Sequence, residues 1–258
     1  MLAALLIVGC FDMILRGERV NGTIALRHPN RCVAKGNRRF GAKEKPGKTG
    51  DIIKPEGDKN MATKHRERDI KHFDQWSSSY ESSWMQRAFF DPTHQAVLAL
   101  AASIVHQPEC VLDAGCGTGR LLRRAYRYWP DAQLIGVDPA DGMIERAKLL
   151  TPNATFYTSM AEALPLEDAS VDLALSTTSF HHWQDQAAGI REIVRVLRPG
   201  GYFILVDISV PEWFVGAVRL KRFHSPAQFR TLFIQAGLQV QAQRTLAWRR
   251  WLATVGKK

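Results

Sequence analysis

Short apolar runs alternate along the chain with segments whose apolar residues recur every three or four positions. The runs predict strands near 109–114, 133–138, 154–158, 171–177 and 200–208. The periodic segments predict helices near 93–105, 118–129, 140–150, 184–197 and 225–236. Strands that alternate with helices are typical of an α/β fold with a doubly wound, mostly parallel sheet. Two further strands, near 238–245 and 247–254, predict an antiparallel hairpin at the C-terminal edge of that sheet.

A glycine-rich turn follows the first predicted strand. Cys110–Arg120 reads CVLDAGCGTGR, in which Asp113 closes the apolar run and glycines follow at every second position. Glycine suits a turn that needs positive φ and a bare backbone against a ligand. The amides that open the next helix favour an anionic group. Strand, glycine turn and helix therefore predict the first unit of a nucleotide-binding fold.

An acidic residue at the end of the second strand narrows the choice of nucleotide ligand. Asp138 comes nineteen residues after Gly119, where a carboxylate can accept hydrogen bonds from both hydroxyls of a ribose. The dinucleotide pattern G-x-G-x-x-G would need a glycine where this chain has Arg120. The spacing therefore counts against a nicotinamide-dependent oxidoreductase.

Four segments stand in a fixed order along the chain. They are VLDAGCGTG (Val111–Gly119), GVDPADGMIERAK (Gly136–Lys148), AEALPLEDASVDLALSTTSFHHW (Ala161–Trp183) and REIVRVLRPGGYFILVD (Arg191–Asp207). Together they resemble the class I S-adenosylmethionine (SAM)-dependent methyltransferases, above all the small-molecule branch that includes the ubiquinone/menaquinone-biosynthesis enzymes. The resemblance implies a Rossmann-like fold, SAM as cofactor and methyl transfer to oxygen, carbon or nitrogen of a small organic acceptor.

The resemblance also implies a set of cofactor-binding residues. Asp113 and the turn glycines would hold the methionine end, Asp138 the ribose, and Pro139 and Met143 the adenosine. Met160 stands where relatives commonly carry an acid, so it and its neighbours are expected to contact the adenine. The predicted set is Tyr80, Asp113, Gly115, Cys116, Gly117, Thr118, Gly119, Asp138, Pro139, Met143, Met160, Ala161, Glu162 and Ser176. Core packing of Tyr80 and a helix-start role for Glu162 are the alternatives.

The loop after the fourth strand is predicted to face the reacting groups, because ligands of such sheets bind beyond the carboxyl ends of the strands. Phe180, Trp183 and the later Trp213 are expected to line the acceptor. His181 or His182 is a candidate general base, against packing or hydrogen bonding within the loop. No metal is expected, because the side chains of two adjacent histidines point in different directions and no third ligand lies at a suitable spacing in the sequence.

The charge of the chain does not by itself identify the class of molecule that the protein binds. The net charge is +10, and no acidic residue follows Glu212, which suits an anionic small molecule, RNA, a membrane surface or a solvated face. The aromatic residues expected around the acceptor suit an apolar small molecule. RNA methylation is disfavoured because the fourth strand ends in Ser-Thr-Thr-Ser-Phe, without the acid or asparagine and two prolines of amino-directed enzymes. A SAM-binding protein without catalysis is the third hypothesis.

The N-terminal residues differ from the rest. The apolar stretch 1–15 is too short for a membrane span of about twenty residues, and 16–60 has the aperiodic polar composition of a disordered segment. We expect 1–60 to be a disordered or non-native extension, 61–108 a helical lid, and 109–258 the SAM-binding methyltransferase domain. No transmembrane segment is expected. A cytoplasmic location is expected because export would separate the protein from its cofactor.

Overall fold

The computed structural model describes residues 68, 70–77, 80–81, 84, 86–212, 222–246 and 251–258. The predicted N-terminal extension, 1–60, and Trp213 lie outside these residues. The helices are α1 (residues 70–77), α2 (Asp91–Ile104), α3 (Arg120–Ala125), α4 (Asp141–Leu150), α5 (Gln186–Val196) and α6 (Pro226–Gln235). The strands are β1 (Cys110–Ala114), β2 (Gln133–Asp138), β3 (Ala154–Thr158), β4 (Val171–Thr177), β5 (Leu197–Ile208), β6 (Gln239–Leu246) and β7 (Trp251–Lys257).

The seven strands form one sheet in the order β3-β2-β1-β4-β5-β7-β6. The first five in that order are parallel, and β7 pairs antiparallel with both β5 and β6. The expected Rossmann-like, mostly parallel sheet with a C-terminal hairpin is therefore confirmed. Strand order reverses between β1 and β4, and the crevice at such a reversal is where these sheets bind ligands.

Several element boundaries differ from the sequence prediction, and two of them bear on the site. Helix α3 begins at Arg120, not near 118, because Gly117 and Gly119 have positive φ values of 50° and 74° that a helix cannot contain. Strand β7 begins at Trp251, four residues later than expected. Its pairing with Ile208 of β5 extends the sheet to the same edge as the glycine turn.

Apolar layers cover both faces of the sheet. Successive strand residues point to opposite faces, so Val111 packs with the layer under α2, α3 and α4, whereas Leu112 packs with the layer under α5 and α6. Each fully buried aliphatic side chain of this kind stabilises the fold by roughly 1.5–3 kcal/mol. With both faces filled, the space for a ligand lies at the carboxyl edge of the strands. None of the helices among the described residues is long and apolar enough to cross a membrane.

Candidate active site

An open cleft lies at the carboxyl ends of β1, β2 and β4. Residues of the N-terminal segment, including Ile70, Phe73 and Tyr80, line its outer side. Trp76 and Tyr80 pack edge to face with ring centroids 4.6 Å apart. The cleft thus lies between the sheet edge and the segment that precedes α2.

The glycine turn presents its backbone to the cleft at Gly117. The turn is held to β2 by two hydrogen bonds to the Val137 carbonyl, from the amides of Gly115 (2.7 Å) and Cys116 (3.1 Å). A Cβ at Gly115 would collide with the Ser179 side chain, whereas a Cβ at Gly117 would meet only Tyr80, at 4.0 Å. Gly115 is therefore required by packing. Gly117 leaves ligand space open.

Asp138 is fixed at the end of β2 by backbone amides. Its Oδ2 accepts from the Gly117 amide and its Oδ1 from the Ala140 amide, each at 2.9 Å. Burial raises the pKa of Asp138 to about 6, although the two amide hydrogen bonds act to lower it. A carboxylate oxygen has two lone-pair sites, so each oxygen can still accept one hydroxyl from the cleft.

Asp113 is a buried acid with an unsatisfied oxygen. It lines the cleft with 1% of its surface exposed, and its Oδ1 has no hydrogen-bond partner among the described residues. Burial, and to a lesser extent the nearby Asp138, raises the pKa of Asp113 to about 8. Because an unpaired buried acid is costly, the site is set up for a cationic ligand group.

Two cleft residues were missed by the sequence analysis. Gln86 and His94 are 1% and 7% exposed, and Gln86 Nε2 and His94 Nδ1 lack partners among the described residues. Burial, followed by the charges of Arg124 and Arg120, lowers the pKa of His94 to about 3, so the ring is neutral at pH 7. Both residues lie outside the four motifs. The sequence signal was a histidine in the first turn of the helix that precedes the glycine strand.

The structure brings most of the predicted cofactor set into this cleft. The residues that line it are Tyr80, Asp113, Gly115, Cys116, Gly117, Thr118, Asp138, Pro139, Met143, Met160, Ala161 and Glu162. Gly119 and Ser176 do not line it. A Cβ at Gly119 would lie 2.9 Å from the Phe156 ring, and the fully buried Ser176 bonds Ser179 through the two hydroxyls, 2.9 Å apart.

Glu162 also connects two loops at the cleft mouth. Its Oε1 accepts from the amides of Gln184 (2.7 Å) and Asp185 (3.0 Å), directly before α5. Glu162 lies in a turn and is half-buried, so it is not the exposed helix-start acid considered as an alternative in the sequence analysis. Its carboxylate joins this turn to the residues before α5 and also borders the cleft.

The acceptor side of the cleft differs from expectation at two residues. His182 and Trp183 line the cleft as predicted, and the His182 ring lies 5.2 Å from that of Phe73. Phe180 was expected there, but it is fully buried and packs on Phe229, which leaves none of its surface for a ligand. His181 is also buried and does not line the cleft, because its ring is hydrogen-bonded to Asp207.

The raised pKa of Asp113 predicts a pH effect on stability. The folded protein keeps this proton up to about pH 8, whereas the unfolded chain loses it near 3.8. The unfolding free energy contributed by Asp113 therefore falls as pH rises between these values. We expect Asp113→Asn to gain stability relative to the parent from pH 5 to pH 8, by about 1–3 kcal/mol. Urea unfolding without ligand at several pH values measures this, and equal pH dependence of the two proteins would contradict it.

Comparison with known proteins identifies the domain. Residues 112–205 match the family described as a methyltransferase domain. The malonyl-[acyl-carrier protein] O-methyltransferase of Hahella chejuensis is 32% identical over 150 residues, which cover 54% of each protein. The chain thus spans about half the length of the curated relatives it matches.

Solved structures agree with this assignment. A chain from the complex between the Haloferax volcanii Trm112 methyltransferase activator and a methyltransferase superposes with a TM-score of 0.61 at 25% identity, covering 72% of this chain and 96% of that one. The Burkholderia thailandensis 1,6-didemethyltoxoflavin-N1-methyltransferase, solved with S-adenosylhomocysteine, shares the fold with a TM-score of 0.58 at 16% identity, covering 81% and 93%. Residues 112–205 are therefore a methyltransferase domain with the fold of the solved SAM-dependent methyltransferases, and its cofactor is SAM.

Proposed function

We propose that this protein transfers the methyl group of SAM to a small organic acceptor. The observation that supports this most strongly is the polar lining of one cleft, where the fixed Asp138 and the unpaired oxygen of Asp113 flank the exposed backbone of Gly117. SAM carries a ribose diol and an ammonium group, and Asp138 and Asp113 offer a hydrogen-bond acceptor to the one and the other. The aligned residues cover 54% of the matched relative, so the methyl-transfer activity and the acceptor of this protein are proposals.

Different residues of the cleft would bind different parts of the cofactor. Asp138 would accept from the ribose hydroxyls, and Asp113 would neutralise the ammonium of the methionine moiety. Gln86 Nε2 would donate to the methionine carboxylate. The neutral His94 ring would donate to it from Nδ1, in the tautomer that carries its hydrogen there. Both nitrogens would then have hydrogen-bond partners. The side chain of Met160 would pack on the adenine ring. When bound, SAM supplies an electrophilic methyl group on sulfur.

The protein's remaining tasks are to align the acceptor and exclude water, since methyl transfer is an in-line displacement. Thr178, His182 and Trp183 form the wall that would hold the acceptor. Thr178 has φ of 55°, a strained value for a β-branched residue, fixed by a 2.8 Å hydrogen bond from its amide to the Val206 carbonyl. Strain held in place at a cleft wall is a feature of functional sites.

The N-terminal segment would supply the water exclusion, as the lid expected for residues 61–108. Asp74 of α1 accepts from the Gly142 amide at 2.9 Å, at the start of α4. Glu81 forms ion pairs with Arg120 (2.7 Å) and Arg123 (2.6 Å) of α3. The segment is thereby attached on both sides of the glycine turn. We propose that opening of these contacts admits and releases the cofactor.

This lid predicts a kinetic effect for Glu81→Gln. The amide keeps the shape but loses the charge that pairs with two arginines, so the closed lid loses stability. We expect S-adenosylhomocysteine to dissociate about tenfold faster, an effect of roughly 1.4 kcal/mol. Stopped-flow displacement measures the rate, with the exposed Glu145→Gln of α4 as control. An unchanged dissociation rate would show that these ion pairs do not hold the cofactor in.

The acceptor is proposed to be a small organic group, because one relative is a malonyl-[acyl-carrier protein] O-methyltransferase and one structural neighbour is a 1,6-didemethyltoxoflavin-N1-methyltransferase. We further propose a cytoplasmic location, where SAM is available. The test is twofold: calorimetry with SAM, and transfer of tritium from [methyl-³H]SAM into a small-molecule extract. Binding without transfer would favour the non-catalytic alternative. Transfer to RNA instead, weakening with salt, would favour the nucleic-acid alternative.

A further inference from the structure

A glycine inside helix α5 makes room for one aromatic ring of the cleft. Gly189 is the fourth residue of α5, and a glycine within a helix is less favourable than an alanine. A Cβ at Gly189 would overlap the six-membered ring of Trp183, at Cε3 and Cζ3. The bare backbone of Gly189, which is buried, is therefore the surface on which the Trp183 ring rests.

Further contacts hold Trp183 in this position. Its amide donates to the Phe180 carbonyl at 3.0 Å, and its ring packs against the fully buried Phe180 ring with centroids 5.0 Å apart. Gln186, the first residue of α5, donates from Nε2 to the same carbonyl at 3.0 Å. The Trp183 side chain is half-buried and lines the cleft. The core thus fixes the ring on one side, and the remaining surface is available to a ligand in the cleft.

Two more rings border the cleft near the lid. Phe73 of α1 packs edge to face on His182, with ring centroids 5.2 Å apart and planes at 87°, and both residues line the cleft. Ile70 lies one turn before Phe73 in α1 and lines the cleft as well. An aromatic face offers a large contact area and prefers offset-stacked or edge-to-face aromatic partners. This lining therefore suits a planar ring.

The charges around the cleft favour an uncharged ring. The acidic residues that line it are Asp113, Asp138 and Glu162. The one lysine or arginine among the described lining residues is Arg120, which forms ion pairs with Glu81 and Asp91, each at 2.7 Å. Its charge is thus already balanced by two carboxylates. An anionic acceptor would meet acids in the cleft without a cation to offset its own charge.

We propose that Trp183, held on Gly189, is a preformed stacking surface for an uncharged planar ring of the acceptor. This rests on the proposed methyl transfer and names the substrate class of the same site. Trp183 would contact the acceptor directly, whereas Gly189 acts through Trp183 as a positioning residue. A ring that is already fixed in the free protein loses little conformational entropy when a ligand binds, so its contact contributes more to affinity.

Two matched alcohols test the acceptor class on the parent protein with S-adenosylhomocysteine bound. They are 2-naphthol, which is planar and aromatic, and decahydro-2-naphthol, its saturated and non-planar counterpart. We expect 2-naphthol to bind at least about fivefold more tightly in an NMR titration, the range of an aromatic pair. Equal affinities, no binding of 2-naphthol, or tighter binding of the anionic 2-naphthoate would overturn the inference. Failure of S-adenosylhomocysteine itself to bind would instead overturn the proposed function.

Variants test the two residues with the same probe. Trp183→Ala should weaken 2-naphthol at least about tenfold, and Gly189→Ala at least about threefold, because the ring is lost or displaced. Both should keep the affinity for S-adenosylhomocysteine within about twofold. The control is Trp84→Ala, which removes an exposed indole outside the cleft and should leave both affinities unchanged. An equal loss of both ligands in Trp183→Ala would place the ring against the cofactor and overturn the inference.

Thermal unfolding separates the positioning role of Gly189 from a general effect on α5. With Trp183 present the added Cβ meets the ring, so we expect Gly189→Ala to lower the melting temperature. In the Trp183→Ala background the nearest atoms are gone, and the same change should raise it by about 2–4 °C because alanine favours the helix. The same sign in both backgrounds would show that Gly189 does not position the ring. The comparison of the two alcohols needs only the parent, so it still decides the acceptor class if a variant fails to fold.

Discussion

Replacement of Asp138 by alanine is expected to weaken the binding of S-adenosylhomocysteine at least about 100-fold. Each hydrogen bond from a ribose hydroxyl to a carboxylate contributes about 1.5–3 kcal/mol, and two are lost together. The change also frees the amides of Gly117 and Ala140, which Asp138 now holds at 2.9 Å. Isothermal titration calorimetry measures the affinity directly.

The control for Asp138 is an acid close by that does not face the cleft. Asp141, the first residue of α4, is exposed, and Asp141→Ala should leave the affinity within about twofold. The pKa of Asp138, near 6, adds a second readout because the protonated acid accepts less well. Affinity of the parent should therefore fall as pH drops through about 6. Equal affinities of parent and Asp138→Ala would refute the proposed ribose site.

Gly117→Ala is expected to block the cofactor more than it harms the fold. The new Cβ would project into ligand space, where the nearest atom outside the turn is Tyr80 Cε1 at 4.0 Å. Positive φ at an alanine costs roughly 1–2 kcal/mol in stability, which a folded protein can tolerate. We expect affinity for S-adenosylhomocysteine to fall more than tenfold. Calorimetry and thermal unfolding separate the two effects.

Gly200 provides a matched control for that substitution. Its φ is +82°, and a Cβ there would meet nothing within 4 Å, so Gly200→Ala carries the same backbone cost away from the cleft. We expect both variants to lose a similar amount of stability and only Gly117→Ala to lose affinity for the cofactor product. If both variants lose affinity equally, the effect at Gly117 comes from the backbone, and the glycine turn would not be in contact with the cofactor.

Asp138 and Gly117 differ from Asp113 in how they affect the stability of the fold. Asp138 is the last residue of β2 and Gly117 lies in the turn after β1, and neither belongs to the core layers on the two faces of the sheet. Asp113 is different, because it lies inside the sheet at 1% exposure and its unpaired oxygen destabilises the free protein. Cofactor binding should therefore raise the stability of the folded protein, and thermal shift measurements with SAM would detect this gain.

The sequence by itself determined the sheet, its parallel direction and the residues at the ends of β1 and β2. These features follow from local patterns, since an apolar run, a glycine turn and a following acid each act within a few residues. The glycine turn and Asp138 were predicted because parallel strands bring their carboxyl ends to one edge. The same logic found His182 and Trp183.

Only the tertiary structure decided which polar atoms lie unpaired in the cleft. Gln86 and His94 precede the motifs, and their exposure depends on how α2 packs against the sheet. The burial of Phe180 and the pairing of His181 with Asp207 likewise join residues that are far apart along the chain. Burial and partner choice are set by long-range packing, which no local pattern records. For that reason the sequence named both histidines, and the fold distinguished the one at the cleft surface from the one held by a carboxylate.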